Sequence, residues 1–153
     1  MIPEPPCDRQ LSFGLSFVIP CYRSERTVLP VLDEIEQEMA RLGRDDFEVL
    51  CVVDGQFIGA GDRAILEDVA KMACPKFLAV NKIDLCEPEK LMPQLQKLND
   101  LGFDQIVCVS ARRGDNLDEL LSMLVSAMPE GLCKRWPEAF DAVLVDAPCS
   151  GEG

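Results

Sequence analysis

The groups in this chain that could do chemistry sit in short polar clusters, each following an apolar run. Asp54-Gly55 ends one run, Asn81-Lys82-Ile83-Asp84 a second, Ser110-Ala111 a third and Asp146-Ala147-Pro148-Cys149 a fourth. Several chemistries are excluded by what is missing. The chain has no histidine, which removes Ser-His and Cys-His nucleophilic catalysis. Its eight cysteines never form C-x-x-C pairs, so zinc-ligand spacing is absent and no metal site is expected. Cys51 and Cys108 lie inside apolar runs and read as small buried hydrophobes, which fits a reducing, cytoplasmic compartment. No G-x-x-x-x-G-K-[ST] occurs, and the Gly55, Gly59, Gly61 run has neither that spacing nor its lysine. The backbone cradle that grips nucleotide phosphates is therefore not encoded.

The elements that must position these clusters alternate along the chain. Apolar, β-rich runs predict strands at 15–19, 47–53, 77–80, 106–109 and 142–145, with Pro20 ending the first. Between them, helical spacing marks four helices. Val28, Val31, Leu32, Ile35, Met39 and Leu42 form the first stripe, which Gly43 stops. Ile65, Leu66, Val69, Ala70 and Ala73 mark the second, and Leu91, Leu95, Leu98 and Leu101 the third. In the fourth, Asn116 and Glu119 resemble a capping box, followed by Leu117, Leu120, Leu121, Leu124, Val125 and Met128.

The resulting βαβαβαβαβ order predicts an α/β three-layer sandwich around a five-stranded, mostly parallel sheet, Rossmann-like or flavodoxin-like. Right-handed crossovers narrow this to a few doubly wound arrangements, with the polar clusters collected at the carboxyl ends of the strands. The second, third and fourth strands fall within one segment that resembles a single known family, and that resemblance implies that they are neighbours in that order. The first, in a segment resembling a strand-helix-strand unit, is expected beside the second; the place of the fifth is open.

At 153 residues the chain is read as a single domain over 1–153. Acids outnumber bases 27 to 15, and the net charge of −12 argues against a nucleic-acid partner, whose phosphates draw their affinity from Lys and Arg. No apolar run is long enough to span a membrane, and no membrane partner is expected. The oligomeric state is open.

Three segments resemble three different families. Residues 1–48, together with FEVLCVVDG at 47–55, resemble the opening strand-helix-strand of family-2 glycosyltransferases, which would make Pro20, Tyr22 and Asp54 the nucleotide-side positions. That family's Asp-x-Asp metal site and catalytic acid have no counterpart here. Residues 49–131 resemble the second half of the GTPase domain of Era-type GTPases. On that resemblance Asn81-Lys82-Ile83-Asp84 is the guanine-specificity motif: Asp84 accepts from the guanine N–H and amino groups, Asn81 supports the loop, and the Lys82 stem covers the base. Ser110-Ala111 is the second base-contacting loop, its backbone N–H facing the guanine oxygen. The aspartate-glycine switch loop of that family is missing. Residues 132–153 end in FDAVLVDAPCSGEG, which resembles a motif of Sun-type RNA 5-methylcytosine methyltransferases, with Cys149 matching the cysteine that assists product release. A second cysteine and a donor-binding loop are lacking.

The leading functional expectation is accordingly a recombined or engineered, chimera-like α/β scaffold with no complete active site, no catalysis and no cofactor. A second reading is a binding module with weak affinity for guanine nucleotides, GTP or GDP, through Asn81, Lys82, Asp84, Ser110 and Ala111. A third is a nucleotide-dependent transferase.

Overall fold

The computed structural model describes residues 15–126, and everything structural below concerns these residues. In chain order the elements are β1 (Leu15–Cys21), α1 (Glu25–Arg41), β2 (Phe47–Asp54), α2 (Ala60–Ala70), β3 (Lys76–Asn81), a 3-10 turn (Ile83–Leu85), α3 (Pro88–Asn99), β4 (Gln105–Cys108) and α4 (Leu117–Ser126). The fold is α/β. Its four described strands form one sheet in the order β1-β2-β3-β4, and every pairing is parallel. The strand expected at 142–145 lies outside the described residues.

Each crossover steps one strand in the same direction, and right-handed crossovers then place their helices on one face. That is the arrangement observed. Leu32 of α1, Ile65, Leu66 and Val69 of α2, and Leu98 of α3 pack with Val49, Cys51, Val53, Leu78 and Val80. The opposite face, with Leu50, Val52, Phe77, Ala79 and Val107, is covered by Leu120, Met123 and Leu124 of α4. The three layers therefore arise differently from the doubly wound expectation. The strand order never reverses among the described residues, and α4 alone supplies the second helical layer there.

Local chemistry explains the element boundaries. β2 is apolar without alternation because residues 49–53 are buried on both faces. α1 ends in a Schellman motif: Gly43 takes φ +62°, its N–H bonds Ala40 O at 3.1 Å, and Arg44 N–H bonds Met39 O at 3.0 Å. Within the α1 stripe, Leu32 and Met39 are buried, whereas Val31 and Leu42 are exposed, Leu42 because the helix has already closed there. At the start of α2, the buried Asp62 carboxylate accepts from Gly59 N–H at 3.0 Å and from Arg23 N–H at 3.3 Å, tying the helix to the loop after β1.

Two sequence expectations are corrected. β1 runs through Pro20 to Cys21 instead of stopping before it. Pro20 is tolerated because β1 is the outermost of the four strands, where a missing backbone donor breaks no ladder bond. Asn116 does not open a capping box with Glu119. At φ +60° it has left the extended backbone that a capping residue needs, and its Nδ2 donates instead to Cys108 O at 2.8 Å. Among the described residues no helix is long and apolar enough to cross a membrane.

Candidate functional site

The clusters picked out at the ends of the second, third and fourth runs meet at the carboxyl ends of β2, β3 and β4. The register sets Asp54 opposite Asn81. Beyond that pair the chain turns at Gly55, whose N–H donates to Asn81 O at 2.9 Å. A glycine is needed there by close approach. A Cβ would lie 2.8 Å from Cys86 Sγ, 3.0 Å from Asn81 O and 3.1 Å from Val80 Cγ1.

Asn81 is buried and links the two loops that follow β3 and β4. Its Oδ1 accepts from Lys82 N–H at 2.8 Å and from Ala111 N–H at 3.0 Å. Lys82 takes φ +63°, a left-handed conformation that costs a non-glycine residue about 1–2 kcal/mol. The loop holds it there. Leu85 N–H and the Cys86 thiol both donate to Lys82 O, at 2.9 and 3.3 Å, and Lys82 Nζ pairs with Asp54 Oδ2 at 2.9 Å.

Asp84 turns toward the β4 loop. Its Oδ1 accepts from Ser110 Oγ at 2.8 Å, and Ser110 is fully buried. The Ser110 hydroxyl in turn accepts from Arg113 N–H at 3.2 Å, while Gly114 and Asp115 N–H both donate to Ser110 O, at 2.8 and 3.1 Å. The turn 111–114 is thus folded back on Ser110, which fixes the hydroxyl that aims the carboxylate.

The Cys86 thiol, beside this loop, is pushed above the ordinary thiol range, first by burial and then by the nearby Asp54 and Asp84 carboxylates. It sits there as a neutral donor, not as a nucleophile. Buried Cys51 is raised by its neighbour Cys21 and by burial, and half-buried Cys108 by burial. All five described cysteines are free thiols, and no group of three or more Cys, Asp or Glu among the described residues could hold a metal ion.

The structure therefore brings Asn81, Lys82, Asp84, Ser110 and Ala111 into one constellation. One detail differs from the resemblance. Ala111 N–H, expected to face a guanine oxygen, is donated to Asn81, so a base oxygen would have to share or take over that bond. The glycosyltransferase-like positions part company: Pro20 lies inside β1 and Tyr22 just beyond it, two strands from β3, whereas Asp54 joins the constellation. Tyr22 and Phe57 instead flank the Arg23 guanidinium, 5.6 and 5.5 Å from their ring centroids. Cys149 lies outside the described residues. Sequence reasoning missed Cys86 and the ion pair from Asp54 to Lys82; the opposite charges at two strand ends were the available signal, but their meeting depends on the register.

No protein-family model matches the chain. Over 104 residues it is 38% identical to GTPase Era of Alkaliphilus metalliredigens. Part of this chain is similar to Era. The match covers 64% of the chain and 35% of that Era, so the chain spans about a third of the length of the relative it matches. The crystal structure of an Aquifex aeolicus Era variant bound to GDP and AlF4− shares the fold, with a TM-score of 0.50, 23% identity, and coverage of 72% of this chain and 37% of that one. An Era solved with MgGDPNP and nucleotides 1506–1542 of 16S ribosomal RNA gives a TM-score of 0.49 at 26% identity, with the same coverage of 72% and 37%. Of the three segment resemblances, the comparisons support the Era-like one and give no support to the glycosyltransferase-like or methyltransferase-like ones, nor to an engineered origin.

Proposed function

We propose that this chain is a guanine-nucleotide-binding module that holds the base between the loops following β3 and β4. The observation that carries the reading is the 2.8 Å bond from buried Ser110 Oγ to Asp84 Oδ1, which aims a carboxylate from one loop with a hydroxyl from the other. A carboxylate held this way suits guanine, whose ring N–H and amino group form a donor pair that adenine lacks. Asn81 keeps the two loops together, the Lys82 stem offers a face for stacking, and Ala111 N–H, bonded to Asn81 Oδ1, is the donor that a base oxygen would share or take over. Similarity to a protein named as a GTPase supports guanine as the base, and displaces the scaffold without activity as the leading reading.

The chain's own sequence limits the affinity. It has no G-x-x-x-x-G-K-[ST] loop, so the phosphates lack their usual cradle and this chain supplies no machinery for hydrolysis. Base contacts alone rarely exceed about 4 kcal/mol, near millimolar dissociation. The RNA bound to one solved Era belongs to that protein; the net charge of −12 argues against an RNA partner for this chain.

Titration calorimetry with GDP and ADP tests the reading. GDP should bind in the millimolar range with ADP at least about tenfold weaker, a difference of 1.4 kcal/mol. Equal affinities would overturn it.

A further inference from the structure

The Asp54 carboxylate is fixed through both oxygens. Oδ1 accepts from Gln56 N–H at 2.9 Å, closing the turn after β2, and Oδ2 meets Lys82 Nζ at 2.9 Å. The Asp54 side chain is 14% exposed and that of Lys82 is 44% exposed, so a nearly buried anion presents one oxygen to a half-open ammonium. At its other end Lys82 is held at φ +63° by the Asn81 carboxamide. With backbone and ammonium both anchored, the four-carbon stem is stretched from the end of β3 toward the end of β2.

We propose that Asp54 is a positioning residue of the guanine site, holding the Lys82 stem in place as the surface on which the base stacks. The inference rests on the guanine-binding reading above and adds to it the residue that orders the stacking wall. Lysine has many rotamers, and a stem that must be immobilised on binding weakens the complex by the entropy lost. Asp54 imposes that order beforehand. The role differs from the direct nucleotide contact that the glycosyltransferase resemblance implied for Asp54. Its Oδ1 serves the turn, and its Oδ2 acts on a nucleotide through Lys82.

Asp54→Asn separates these functions, because the Asn oxygen still accepts from Gln56 N–H while the charge facing Lys82 is gone. GDP affinity of the variant should fall about three- to tenfold, the scale expected when one long side chain loses its order. In a Lys82→Met background the same substitution should change nothing further. A readout independent of nucleotide is the Lys82 ammonium resonance in nitrogen–proton correlation spectra: sheltered by Asp54 in the parent chain, it should broaden away in Asp54→Asn. An unchanged GDP affinity or an unchanged Lys82 resonance would overturn the positioning role. A parent chain that does not prefer GDP to ADP would overturn the underlying site as well, and the Lys82 resonance distinguishes the two failures.

Discussion

Asn81 and Ala111 stand 30 positions apart, and one bond of 3.0 Å from the Ala111 N–H to Asn81 Oδ1 joins the loops that leave β3 and β4. The same oxygen accepts from Lys82 N–H, so a single buried acceptor satisfies two backbone donors. Replacing Asn81 by Ala leaves both donors without it. The variant should lose about 1–3 kcal/mol of stability, read from urea unfolding, and its guanosine selectivity as well. A variant as stable as the parent would show that the bridge holds nothing together.

Asp84→Asn should exchange one base preference for another. A carboxamide can no longer accept from both guanine donors, and it can donate to the second carbonyl of xanthine. Xanthosine diphosphate should bind more tightly than GDP to this variant, by about tenfold in a competition titration. Retained preference for GDP would place the recognition elsewhere.

Glu48 carries the clearest pH dependence. It is 5% exposed, accepts from Ser16 Oγ at 2.6 Å across the β1–β2 pair, and burial raises its carboxyl above the ordinary range, the Ser16 bond offsetting part of the rise. A group whose folded pKa is raised contributes stability below its unfolded value, and that contribution is lost as pH rises through the folded pKa. Above its folded pKa, Glu48 is thus a penalised buried charge. Glu48→Gln should melt at a higher temperature than the parent at pH 7, the advantage disappearing as pH falls below about 4. A gain that is equal at both pH values would remove the electrostatic cause.

Leu124, 6% exposed, belongs to the core cluster that α4 forms with residues of β2, β3 and β4. Leu124→Asp would bury an unpaired charge there and should cost several kcal/mol of the roughly 5–15 kcal/mol typical of a domain. An unchanged unfolding midpoint would mean that α4 does not share the core.

How legible this was in the sequence varied with the range of the interaction. β2, β3 and β4 were readable because buried parallel strands are continuously apolar; their order came from the resemblance of residues 49–131 to one family, since the strand-helix rhythm alone leaves several arrangements open. Gly43 was readable as a helix stop because the Schellman motif is local. Pro20 misled, since its effect depends on whether its strand is an outer one, which only the sheet order decides. Asn116 misled because its cap pattern is local while its actual partner, Cys108 O, belongs to the preceding strand. The site residues could be named from their clusters, yet the bond from Ser110 to Asp84 and the ion pair from Lys82 to Asp54 require the register and the loop conformations. Opposite charges 28 positions apart point to an ion pair only once β2 and β3 are set in register.

A guanine base held between the β3 and β4 loops would reveal itself in amide nitrogen–proton spectra recorded during titration with guanosine and then adenosine. Guanosine should move the amide signals of Lys82, Asp84 and Ala111 progressively and saturably, while adenosine at the same concentrations leaves them in place. Shifts of equal size with both nucleosides, or guanosine shifts confined to residues away from these two loops, would contradict it.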